Sequence, residues 1–194
     1  MSSLKNRIEL LENDLKAVPP RISVYHDLPF AILRYDSKEE WELRREVNWL
    51  ATRLGNVGKE AHVIPVSEFL WKAIDETEGM DVVVGMERDE GFLRAQQQVT
   101  TYLSDRDFRP LAKMLADRLS PLDAKKSIVF LTRVAAMSPG IYQMSKLLDE
   151  MKGKTRVTTI LCYPGTLGKG STELQFMDLR DREALGNYRV KIYG

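Results

Sequence analysis

The chain has 194 residues, 43% of them hydrophobic and 29% charged, and 29 Lys and Arg against 28 Asp and Glu leave a formal net charge of +1. These are the proportions of a globular protein, and the length suits one large domain over 1–194 rather than two small ones. Balanced charge argues against a strongly basic nucleic-acid binder and an acidic disordered tail, and a single cysteine excludes an intrachain disulfide framework and a cysteine-based zinc finger.

Two distant histidines, His26 and His62, leave little for a histidine metal site, so neither metal nor cofactor is expected. No stretch approaches the ~20 apolar residues of a membrane span. The first 16 residues alternate charged and apolar side chains without the apolar core of a signal peptide, so the expected home is the cytoplasm.

Leu4, Ile8, Leu11 and Leu15 fall on one face of a helix that Ser2 or Ser3 can cap and Pro19-Pro20 stops. The stripe can pack on its own domain or on another chain, and packing on its own domain is expected. Residues 21–28 read as irregular chain. Phe30 to Leu33 reads as a strand, and Ser37 with Glu40 as a capping box for a helix carrying Trp41, Leu43, Val47, Leu50 and Leu54. Gly55 and Gly58 end that helix. Val63 to Val66 reads as a strand whose Pro65 suits a strand end or a sheet edge, and Ser67 opens a helix through Phe69, Leu70, Ala73 and Ile74.

Residues 72–90 hold seven acidic side chains against Lys72 and Arg88, and embed Val82-Val83-Val84-Gly85, which spacing leaves unassigned. Two helices follow between Gly91 and Leu119, broken near Ser104-Asp105. The first carries Phe92, Leu93, Val99 and Leu103 and the second Phe108, Leu111, Leu115 and Leu119. They read as a helical insertion at 91–119 within one domain.

Ser127 to Leu131 is a continuous apolar run, the mark of a strand covered on both faces. Ser138-Pro139 reads as the capped start of a helix lined by Ile141, Met144, Leu147, Leu148 and Met151 and ended by Gly153. Strands are expected at Val157–Tyr163, Leu174–Met177 and Tyr188–Tyr193, with a glycine-rich turn over residues 164–170. Strands alternating with helices predict a three-layer α/β fold built on a mostly parallel sheet of about five strands.

The glycine-rich turn nearly spells a phosphate-binding P-loop. Ser171 stands where that motif needs lysine, Lys169 precedes the glycine, and a strand rather than a helix follows, so nucleotide hydrolysis is not expected there. A turn needing glycine for positive φ explains it as well. In open α/β sheets, ligands sit outside the carboxyl ends of the strands. Those ends place Arg133, Ser138, Gly165 and Lys169 together as a candidate anion site, against the plainer reading of Arg133 as paired locally. On the anion reading, Arg133→Ala weakens function more than folding.

Neither histidine has a Gly-x-Ser-x-Gly nucleophile turn to serve, and Cys162, inside an apolar run, reads as a structural thiol. The acidic segment lacks the spacing of a calcium loop and reads as a solvated or partner-facing surface. From residue 151 onward, eight Lys and Arg face four Asp and Glu. Electrostatic docking to a protein, or contact with DNA, would use such a basic end.

The chain resembles the BrxB family, a small component of the bacteriophage-exclusion (BREX) defence systems of bacteria and archaea. The likeness runs through Pro29 to Tyr35 and the Glu42-Leu43-Arg44 helix, then Val129 to Val134 and the Lys146-Leu147-Leu148 helix. It continues at Tyr163-Pro164-Gly165, Leu174 to Met177 and Asn187 to Tyr193. No single motif is diagnostic; their order, spacing and total length carry the resemblance. It implies no catalytic residues and a supporting role in phage defence as a non-enzymatic adaptor. The implied partners are an alkaline-phosphatase-like protein above all, a large ATPase and a DNA methyltransferase. The residues themselves leave two other readings open: a nucleotide- or anion-sensing subunit using the strand-end crevice, and a DNA-binding subunit of the same complex.

Overall fold

In chain order the computed structural model comprises helix α1 (Leu4–Lys16), strand β1 (Phe30–Tyr35), helix α2 (Glu40–Gly55), strand β2 (Glu60–Pro65) and helices α3 (Val66–Asp75), α4 (Met80–Glu90), α5 (Phe92–Ser104) and α6 (Leu111–Leu119). Strand β3 (Ser127–Thr132), helix α7 (Met144–Met151) and strands β4 (Thr158–Leu167), β5 (Glu173–Phe176), β6 (Leu185–Asn187) and β7 (Lys191–Tyr193) complete it. The structure describes residues 3–22, 27–138, 140–168, 173–177, 179 and 185–194.

Five strands form a parallel array in the order β2-β3-β4-β1-β7, and β5 and β6 extend it antiparallel from the far end of β4. The parallel count matches the expected five. Alternate residues of the central strands enter two cores. Phe30, Ile32, Val129, Leu131 and Leu161 face α3 to α7, while Ala31, Leu33, Phe130, Ile160 and Cys162 face α1 and α2. A period of two explains the split, and cover on both faces explains why β1, β3 and β4 read as unbroken apolar runs. The α1 stripe is fully buried in the second core, as expected, beside Leu43, Val47, Leu50 and Leu54 of α2. Strand β2 forms one edge of the sheet, where Pro65, its last residue, interrupts no ladder between two neighbours.

Several local expectations are corrected. Ser138 does not begin a helix. A short 3-10 turn, Val134–Met137, precedes it, and α7 opens six residues later at Met144 behind Gln143. Between them, the Ser138 carbonyl accepts from the N–H groups of Ile141 and Tyr142, at 2.7 and 3.2 Å. The Thr100 hydroxyl donates to the Ile141 carbonyl at 3.0 Å, and Tyr142 is buried. Contacts with α5 thus override the local Ser-Pro signal.

Val82 to Gly85 is helical, because Met80, Val83 and Met86 turn one face of α4 inward. The capping box sits one residue earlier than expected. Asp36 accepts from Lys38 N–H at 2.9 Å, and Glu39 accepts from Asp36 N–H at 3.1 Å. The glycine-rich turn is largely strand, since β4 runs through Gly165 to Leu167 and pairs with β5. Residues 169–172 lie outside the described residues.

Candidate functional site

The parallel strands end in step, with Tyr35 opposite Pro164 and Pro65 opposite Thr132. At that edge the chain leaves the sheet four times, and a crevice of about 360 Å³ opens. The connection after β1 contributes Ser37, the start of α2 contributes Glu40 and Arg44, and α3 contributes Ser67 and Trp71. Arg133 follows β3, and Pro164 and Met177 close the side nearest β5.

Arg133 stands in the left-handed region at φ 54°, ψ 35°, with its side chain exposed. Its carbonyl accepts from Ala136 N–H at 3.1 Å, but no hydrogen bond or ion pair holds its guanidinium among the described residues. The carboxylate opposite is already engaged. Glu40 accepts from Arg44 Nε at 2.7 Å and from the Tyr35 hydroxyl, and the Arg44 guanidinium lies 4.7 Å from the centre of the Trp41 ring. Burial, and then the bond to Glu40, push the Tyr35 phenol far above its ordinary pKa, so it remains a donor. The lining therefore carries two guanidinium charges against one carboxylate that is committed to one of them. The Ser37 and Ser67 hydroxyls, both half-buried, have no hydrogen-bond partner among the described residues. α3 also opens without a side-chain cap, so its first N–H groups, which have no partner within the helix, lie beside Ser67 without a side-chain acceptor among the described residues.

Of the four residues placed here from sequence, Arg133 lines the crevice. Gly165 lies beside it, within β4. Its carbonyl accepts from Arg34 Nη1 at 3.1 Å, and a Cβ there would meet the Gln175 carbonyl oxygen at 2.1 Å, so close strand pairing accounts for the glycine. Ser138 is spent on the turn before α7, away from the lining. Lys169 lies outside the described residues, as does His26. Sequence reasoning missed Ser37, Glu40, Arg44, Ser67 and Trp71. Each stands at or near the first turn of a helix that leaves a strand end, a rule that needs the strand order to be applied.

Cys162 is fully buried, and burial followed by the nearby Glu40 charge raises its thiol pKa, which makes it inert. No three His, Cys, Asp or Glu side chains converge among the described residues, and no helix there is long and apolar enough to cross a membrane. Within the basic end, Lys152 pairs with Asp27 at 3.4 Å and Lys191 with Asp14, so part of that charge is neutralised locally.

The surface carries unusual aromatic exposure. Trp41, Trp49 and Trp71, the three tryptophans of the chain, are 78%, 52% and 53% exposed, and Phe92 and Leu93 at the start of α5 are 63% and 73% exposed. Trp41, Phe92 and Leu93 belong to the apolar spacing of their helices in the sequence, yet all three stand on the outside.

A sequence model of the family described as "BREX protein BrxB" matches residues 62–192, from within β2 to within β7. The match includes Trp71, Arg133 and the helices between β2 and β3, and it leaves out α1, β1 and α2. The resemblance noted at Pro29 to Tyr35 and Glu42 to Arg44 thus lies outside it. No curated protein and no solved structure matches the chain.

Proposed function

Because the chain belongs to the BrxB family and is thereby a component of a BREX defence system, we propose that it works as a non-enzymatic adaptor in the cytoplasm, binding the alkaline-phosphatase-like BREX protein and helping to assemble the complex with the ATPase and methyltransferase. The observation that carries this reading is the exposure of Trp41 and Trp49 along the outer face of α2. Tryptophan buries roughly 150–250 Å² when covered and is among the residues most enriched in interface hot spots. Both rings are already dressed with guanidinium groups, Arg44 on Trp41 at 4.7 Å and Arg45 on Trp49 at 5.3 Å from the ring centres. Arg44 is paired with Glu40, whereas Arg45 has no ion pair among the described residues, so the face offers aromatic anchors with one uncommitted cation, suited to an acidic partner surface.

The test is co-purification. Tagged chain from cells carrying the whole system should bring down the phosphatase-like protein, and the Trp41→Ala/Trp49→Ala double variant should lose it while melting at the same temperature. Recovery of no other BREX protein with the unaltered chain would overturn the adaptor reading.

A further inference from the structure

We propose that the strand-end crevice is a ligand site for a nucleoside phosphate, with the phosphate held by Arg133 and the base laid against Trp71. The adaptor reading neither requires this site nor supplies it.

Four features converge. The cavity of about 360 Å³ falls within the roughly 300–1,000 Å³ of small-molecule sites, and it lies where open parallel sheets take their ligands. Arg133 reaches it uncommitted among the described residues, and a guanidinium presents a planar fork that grips phosphate in two bonds. The carboxylate that would repel an anion, Glu40, is neutralised by Arg44 and bonded by Tyr35, so it adds no free negative charge. Two hydroxyls, Ser37 and Ser67, stand half-buried without partners among the described residues, and they can donate to phosphate or ribose oxygens.

Trp71 selects among anions. It lines the same cavity and shows about half its surface, which gives a flat apolar face next to the cationic end. A free phosphate or a carboxylate has no use for such a face, whereas a nucleobase stacks on it. A P-loop at residues 165–172, which the sequence excludes because Ser171 stands where the motif needs lysine, would place nucleotide chemistry on a glycine loop. The crevice needs no such loop, because its cation comes from the end of β3 and its aromatic from α3.

The experiment is calorimetric titration of the full chain with ATP, AMP and inorganic pyrophosphate. Arg133→Gly is the anion-side variant, because its left-handed backbone suits glycine and the fold is retained. It should weaken binding of all three by about ten- to a hundredfold. Trp71→Ala should weaken ATP and AMP by about five- to a hundredfold and leave pyrophosphate unchanged. Melting curves of both variants should superimpose on that of the unaltered chain. Absence of binding for all three ligands at millimolar concentration overturns the site, as does binding that Arg133→Gly does not change. Pyrophosphate binding as tightly as the nucleotides, with Trp71→Ala silent, overturns the nucleoside part. None of these results alters capture of the phosphatase-like protein through α2, so the two proposals fail separately.

Discussion

Arg7 on α1 is 3% exposed, and its Nη2 lies 3.2 Å from Glu39 Oε2. Burial lowers its pKa, with the neighbouring Arg34 charge, while Glu39 opposes both. Arg7→Ala therefore strands a carboxylate that also caps the turn before α2. Because Glu39 keeps about a third of its surface in water, the loss should be about 2 kcal/mol rather than the ~3–5 kcal/mol of a fully buried pair, as read by urea denaturation. Two more carboxylates set the acid limit. Burial raises the Glu12 and Asp14 pKa values, but bonds from Arg53 and Lys16 to the one, and from Lys191 and Tyr193 to the other, bring both below their ordinary values. A carboxyl whose pKa is lower folded than unfolded favours the folded state fully above its unfolded value, ~3.9 for Asp and ~4.3 for Glu. That stability disappears as pH falls through the lower folded values. Melting temperature should accordingly drop below about pH 4, and Asp14→Asn should melt lower than the unaltered chain at pH 7 with the gap closing in acid. Cys162 gives the simplest check of burial: a thiol reagent should leave it untouched in the folded chain and modify it fully in denaturant.

Gly165 shows how a strand pairing dictates a residue. Any Cβ there meets the Gln175 carbonyl, so Gly165→Ala should part β4 from β5 and cost at least about 2 kcal/mol by denaturant titration. The hairpin of α4 and α5 makes the opposite case. Phe92 and Leu93 are exposed at its bend, and a Phe92→Ser/Leu93→Ser variant should melt within about 2 °C of the unaltered chain. Strands β3 and β4 were legible because they are covered on both faces and so show unbroken apolar runs. The apolar run shows β1 only to Leu33, since Arg34 looks like a strand end until its bond to Gly165, 131 residues away, is known. Val82 to Gly85 resisted assignment because β-branched residues favour strands, and only packing of Val83 onto the core decides for helix. Of the crevice, Arg133 was legible from its place after an obvious strand. Glu40, Arg44 and Trp71 were not, because only the strand order brings the connections after β1 and β2 to the same edge.

At the scale of the molecule, β1 lies between β4 and β7 although it precedes both by more than a hundred residues. The segment that matches the family, 62–192, thus lacks an inner strand of its own sheet. Expressed alone, it should leave the β4 and β7 edges bare and be recovered as aggregate, while the whole chain is recovered folded. The same order has a consequence for synthesis. Phe30 must wait for Thr159 to be made, and at ~5–20 residues per second that delay is roughly 6–26 s. Throughout it, a six-residue β-forming segment stands open with Arg34 as its one charge, the kind of gatekeeper that interrupts self-association. Arg34→Leu should therefore lower the yield of folded chain from the ribosome more than it lowers the melting temperature, and a ribosome-associated chaperone should recover the difference.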